Sequence, residues 1–253
     1  MSGHSKWSTI KHAKAATDAR RGKLFTKLAK EVIIAARQGG GDPDTNFRLR
    51  LAIQRAKDSN MPNDNVERAI KRGTGDSDDG NQMVEVLYEG YGPGGVGIML
   101  ETLTDNRNRT VSDVRSTLTK HGGNLAENGA VSWQFETKGV IMVEAEEDEA
   151  EELALLAIDE GADDFETFDS TLQIYSTPNA LEAIRATLEK NEAKISASEI
   201  SLVPSHTVAL DDKSAIKTLK LLDLLEDLDD VQKVYSNADF SDEALEQYSE
   251  ESG

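Results

Sequence analysis

The sequence predicts an α+β protein of three domains: an N-terminal helical domain over residues 1–75, a split α+β domain over 76–137 plus 205–253, and an inserted ferredoxin-like βαββαβ domain over 138–204. Three observations carry this. The first third of the chain spaces its apolar residues at the helical period. After residue 82 the period changes to two, and from 138 onward strand and helix signals alternate in the order strand, helix, strand, strand, helix, strand. Charge is segregated as well: residues 1–75 hold 16 Lys and Arg against 7 Asp and Glu, net +9, whereas 76–253 hold 12 against 40, net −28.

Each element has its own signal. Between 20 and 37, Leu24, Leu28, Val32 and Ala36 recur every four residues beside Phe25, Ala29 and Ile33, an amphipathic helix ended by Gly39, Gly40 and Gly41. A second helix over 46–58 turns Leu49, Ile53 and Ala56 inward. Pro62 stops it, and Asn63 or Asp64 is expected to cap a short third helix carrying Val66 and Ile70 and closing at Gly73 and Gly75. Residues 76–82 are acidic and lack apolar side chains, so they read as a linker. Val84, Val86 and Tyr88 then alternate with Glu85, Leu87 and Glu89 in a strand, and a second strand runs over about 96–103.

Between these strands, Gly90-Tyr91-Gly92-Pro93-Gly94-Gly95 spells the dinucleotide fingerprint G-x-G-x-x-G. That chemistry needs a helix next, with its N-terminus facing the pyrophosphate. A strand pattern follows instead, so the run is read as a hairpin turn. Residues 110–121 predict a helix with Thr110 and Asp113 as a capping box and Gly122 and Gly123 as its stop. Val131, Trp133 and Phe135 predict a strand with these three on its one buried face.

In the module, strands at 140–143, 165–168, 172–175 and 195–203 frame two helices. One carries Leu153, Leu156 and Ala157; the other has Thr177 as cap and Pro178 as first residue. A helix with Ile216, Leu219, Leu222 and Leu225 inward and a strand near 231–235 complete the chain. The ββαβ before the module and the αβ after it close no core separately, so they are expected to share one sheet.

Composition excludes several functions. With no cysteine there is no disulfide framework, thiolate nucleophile or Cys-based zinc site. No signal-peptide core and no run near the roughly 20 apolar residues of a membrane span occurs, so a cytoplasmic protein without a membrane partner is expected. No nucleophile, base and orienting group come together, so no enzyme, cofactor, metal or small-molecule substrate is expected. The acid run 144–152 suits a helix N-terminus better than a metal site, and His4 with His12 lacks the further ligands of one.

A basic head on an acidic chain points to a polyanion, DNA or ribosomal RNA. At the N-terminus Lys6, Trp7, Lys11, His12 and Lys14 interleave an aromatic with cations, as proteins do that stack a base and hold phosphates. Trp7 is equally suited to anchoring the first segment on the helical core. Arg20, Arg21, Lys23, Lys27 and Lys30 extend the basic character along the first long helix, with Arg68, Lys71 and Arg72 adding to the same domain. Asp105-Asn106-Arg107-Asn108-Arg109-Thr110 is a second candidate: the turn explains Asp105 and Asn106, while the planar forks of Arg107 and Arg109 suit either phosphate or a carboxylate of another domain.

Several runs resemble the YebC/PmpR family: Gly3-His4-Ser5-Lys6-Trp7, Ile10-Lys11-His12, Arg21-Gly22-Lys23, Phe25-Thr26-Lys27-Leu28, Met61-Pro62, Arg68-Ala69-Ile70-Lys71, Gly73-Thr74-Gly75 and His121-Gly122-Gly123. The resemblance continues over 88–96 and 104–110, covers essentially the whole chain and is densest before residue 136. Asn63 departs from it, since lysine is common there. The resemblance implies three domains and a non-catalytic role in gene expression. Many bacterial members are described as DNA-binding transcriptional regulators. Mitochondrial relatives are translational activators of cytochrome oxidase subunit I, which makes the ribosome the alternative partner. A ligand-sensing role for the ferredoxin-like module is a third reading.

Overall fold

A computed structural model describes residues 18–75, 83–168 and 170–251; the predicted linker 76–82 lies outside the described residues. In chain order the helices are α1 (Asp18–Gly39), α2 (Phe47–Asp58), α3 (Asn63–Thr74), α4 (Arg107–Lys120), α5 (Glu147–Asp159), α6 (Leu181–Lys190), α7 (Asp212–Glu226) and α8 (Asp242–Glu251). The strands are β1 (Val84–Tyr91), β2 (Gly97–Thr104), β3 (Asn124–Leu125), β4 (Phe135–Glu144), β5 (Ala162–Phe168), β6 (Thr171–Ser176), β7 (Lys194–Pro204), β8 (Val208–Ala209), β9 (Val231–Ser236) and β10 (Ala238–Asp239). Contacts group the described chain into two units, one built mainly from 83–136 and 204–251, the other from 24–75 and 137–203.

In the first unit the sheet order is β3-β1-β2-β9. The chain after the module therefore returns to pair with β2, and Leu100 faces Val234 across that antiparallel ladder. β1 and β2 are antiparallel from Val84↔Thr104 to Tyr91↔Gly97, with a single 3-10 turn, Pro93–Gly95, between them. The glycine run is a hairpin turn, as its following strand requires. Ile98 and Leu100 of β2, Val114 and Leu118 of α4, Leu219, Leu222 and Leu225 of α7, and Leu245 and Tyr248 of α8 form one buried core.

The second unit joins three helices to the ferredoxin-like module, whose strand order is β5-β6-β4-β7 with β5 at one edge. Ile141, Leu172 and Ile174 of its sheet pack against Leu153 of α5 and Leu181, Ile184 and Leu188 of α6. Leu51 of α2 reaches the same core. Among the helices, Val32 and Ala36 of α1 meet Leu49 and Ala52 of α2 and Ala69 of α3. α1 and α3 approach so closely that a Cβ at Gly73 would stand 2.5 Å from the carbonyl oxygen of Ile33. Buried Asn46 closes one helix and opens the next: its amide donates to the carbonyls of Ala35 and Gly40 at 2.8 Å each, and its Oδ1 accepts from Leu49 N at 3.1 Å.

Several local expectations change. Pro62, not Asn63 or Asp64, stands at the cap of α3, and no side chain caps it. α4 starts at Arg107 with Asn106 accepting from Arg109 N; Thr110 is instead buried inside the helix. α6 starts at Leu181, because Thr177 and Pro178 are spent in a turn closed by Ala180 N to Thr177 O at 3.1 Å. The strand expected over 131–135 begins only at Phe135 and runs unbroken to Glu144. α8 and the short β3, β8 and β10 have no counterpart in the expected elements; in α8, Ala244, Leu245 and Tyr248 fall on one buried stripe.

Candidate nucleic-acid interface

Of the sequence candidates, Lys6, Trp7, Lys11, His12 and Lys14 lie outside the described residues, and Arg20 and Arg21 are placed only as helical backbone of α1. Lys23, Lys27 and Lys30 fall at i, i+4 and i+7 on α1, one stripe of the helix. Lys23 is exposed, while Lys27 and Lys30 are half-buried beside the core positions Leu28 and Ile34. Lys23 Nζ also stands 3.5 Å from Asp227 Oδ1, an exposed ion pair that holds the side chain weakly.

Two of the four cations of α2, Arg50 and Arg55, are ion-paired within their unit, while Arg48 and Lys57 are exposed. Arg55 lies 3.1 Å from Glu31 and 3.4 Å from Glu199 of β7, and Arg50 lies 3.6 Å from Glu182 of α6. The cations of α3 are placed otherwise. Val66, Ala69 and Gly73 face inward, which turns Arg68, Lys71 and Arg72 outward, all exposed. Arg68 leans back on its own helix, donating to the carbonyl of Asp64 at 3.1 Å and to the Asn65 side chain. Among the described residues, Lys71 and Arg72 make no ion pair. In sequence these three add to the basic character of the domain without standing out as candidates. Their alternation with Val66, Ala69 and Gly73 is the signal that singles them out.

The second candidate separates into two unlike arginines. Arg107 opens α4 and is exposed, at a helix N-terminus where the dipole disfavours a cation. Arg109 donates to Asp105 Oδ1 at 2.8 Å and to Asp230 Oδ2 at 2.7 Å. Asp230 is buried and also accepts from the hydroxyls of Thr104 and Thr110, at 3.2 and 2.9 Å. Both carboxylates that hold Arg109 belong to its own unit.

Glu89 and Trp133 were missed as notable residues. In the strand pattern Glu89 looks like an outward acid, yet it is buried and accepts from Gly129 N and Val131 N at 2.7 Å each and from Ser132 N at 3.0 Å. Burial pushes the carboxyl up, but those backbone donors outweigh it and hold it below its usual range. Gly129, at φ 88°, takes the left-handed conformation that the turn before this loop requires. The 3-10 turn Ser132–Gln134 then breaks the alternation: Val131 and Phe135 are buried, while Trp133 is 71% exposed. The Asn128-Gly129 pair is the signal that marks a turn here.

Among the described residues no cluster of His, Asp and Glu is arranged to hold a metal ion, and no helix is long and apolar enough to cross a membrane.

Comparison with known proteins gives the same description for both parts of the chain. Residues 5–76 match the family described as TACO1/YebC protein N-terminal domain, and residues 83–238 match TACO1/YebC second and third domain. A protein of Dehalococcoides mccartyi strain BAV1 named "probable transcriptional regulatory protein" is 57% identical over 248 residues, 98% of each chain. One of the same name from Natranaerobius thermophilus is 52% identical over 97% of this chain and 99% of its own. A crystal structure of a conserved hypothetical protein from Aquifex aeolicus superposes with a TM-score of 0.82 at 49% identity, covering 89% of this chain and 93% of that one.

Proposed function

Since the chain belongs to the TACO1/YebC family, we propose that it is a non-catalytic, nucleic-acid-binding regulator of transcription that meets DNA through its basic helices. The observation that supports this most directly is the outward row of Arg68, Lys71 and Arg72 on α3, in a segment of net positive charge on an otherwise acidic chain. Lys23, Lys27 and Lys30 of α1 extend the same chemistry, with Lys6, Lys11, Lys14, Arg20 and Arg21 preceding them in the sequence. Such a surface holds phosphates and so supplies affinity before sequence selectivity. The names carried by relatives of more than half identity agree with this role.

Gel retardation at several salt concentrations tests the surface. Reversing Arg68, Lys71 and Arg72 to Glu is expected to lower duplex affinity at least tenfold and to flatten the salt slope by roughly 0.9 for each phosphate no longer neutralised. Sequencing the nucleic acid crosslinked to the protein in cells tests the target. Recovery of promoter DNA supports the proposal; recovery of ribosomal RNA replaces it with a role in translation.

A further inference from the structure

We propose that Trp133 is the docking point for an arginine-bearing segment of a protein partner. The loop that carries it is braced from three sides. Buried Glu89 holds three N–H groups of the loop, and Tyr91 Oη donates to the Ala130 carbonyl at 3.1 Å. At the far end Gln134 O accepts from Ser205 N at 2.8 Å, and its side chain accepts from Asn237 Nδ2 at 2.7 Å. Asn237 is itself buried and tied to β2 through Gly97 N at 2.7 Å. A carboxylate and an amide are thus taken out of water to fix a turn whose outermost side chain is an indole 71% exposed. Holding an anchor in place beforehand removes the ordering entropy that docking would otherwise cost.

The chemistry of the occupant follows from what the indole still offers. Its one donor, Nε1, already bonds the Ala130 carbonyl at 3.0 Å, so contact is left to the ring face. A ring face takes either a flat base or a cation. Charge decides between them: 121–137 and 204–212 carry Glu127, Glu136, Asp211 and Asp212 and no Lys or Arg, with Lys138 and Lys213 following directly after. Over 83–136 and 204–251 together there are 8 Lys and Arg against 20 Asp and Glu. Such a surface repels a phosphate backbone and a second copy of itself, and attracts a guanidinium, the cation that stacks most readily on indole. This inference is independent of the nucleic-acid surface, because the α3 substitutions that test that surface leave this loop untouched.

The chain has two tryptophans, so Trp7→Phe makes Trp133 the sole reporter. Short peptides alternating glycine with arginine, lysine or glutamate, and a single-stranded oligonucleotide, are titrated against it. The emission of Trp133 is expected to change saturably with the arginine peptide, less with lysine, and not with glutamate or the oligonucleotide. Trp133→Ala, followed by NMR shifts, is expected to weaken the arginine peptide roughly 5- to 30-fold and to erase the preference for arginine over lysine, although net charge is unchanged. Trp133→Phe keeps most of the affinity, and thermal melts confirm that both variants stay folded. Unchanged peptide affinity in Trp133→Ala overturns the proposal. So does quenching by the oligonucleotide, or self-association that Trp133→Ala abolishes.

Discussion

Helices α2 and α3 come from one basic stretch of sequence and use their charge in opposite ways. Arg50 and Arg55 of α2 face Glu182 and Glu199 of the ferredoxin-like module, so they fasten two parts of one unit together. Arg68, Lys71 and Arg72 of α3 face water. The difference arises from which helix face the core claims: Leu49, Ala52 and Ala56 leave Arg50 and Arg55 at the seam, whereas Val66, Ala69 and Gly73 leave the α3 cations outside. The net charge of a segment therefore overstates its binding surface, because part of that charge is consumed in packing.

That contrast can be broken from the α2 side first. Arg55→Glu sets a third carboxylate beside Glu31 and Glu199 and is expected to destabilise the fold by about 3 kcal/mol, read as a lower urea midpoint at constant slope. Asn46→Ala, which orphans the carbonyls of Ala35 and Gly40 and the N–H of Leu49, should remove about 2 kcal/mol. Glu89→Gln is expected to lose on the order of 1–2 kcal/mol at neutral pH. The sign with pH is fixed: a carboxyl held below its unfolded range stabilises above that range, and this contribution is lost as pH falls through the folded value. The melting gap between parent and Glu89→Gln should therefore narrow on acidification; a widening gap would contradict the assignment. Arg68→Glu, Lys71→Glu and Arg72→Glu come last, each expected to shift stability by about 0.5 kcal/mol or less while weakening DNA binding. A large loss of stability there would erase the distinction between the two helices.

Much of the fold was legible because it rests on period. The stripe Leu28, Val32, Ala36 and the alternation of β1 follow from the repeat of backbone geometry, and both appear where expected. The order of the module's elements specified its sheet for the same reason. What sequence did not convey was where a side chain spends its hydrogen bonds. Thr110 looks like a cap, yet Asp230, distant in sequence, claims its hydroxyl. The fork of Arg109 suits a phosphate or a carboxylate of another domain equally, yet it is the same aspartate, in its own unit, that holds it. Trp133 fits a period of two, but the pull of Glu89 on three backbone N–H groups shapes the loop that breaks that period. These are long-range pairings, and no local pattern encodes them. Candidate residues before Asp18 were chosen on charge and aromatic interleaving alone, and they lie outside the described residues.

The outer position of β5 has one more consequence. An open strand edge is a template on which another chain can build, and this one carries Phe165 at 40% exposure. Asp163, Asp164 and Glu166 surround that phenylalanine. A like edge brought alongside would set acid against acid, so this open strand is guarded against pairing with its own copies.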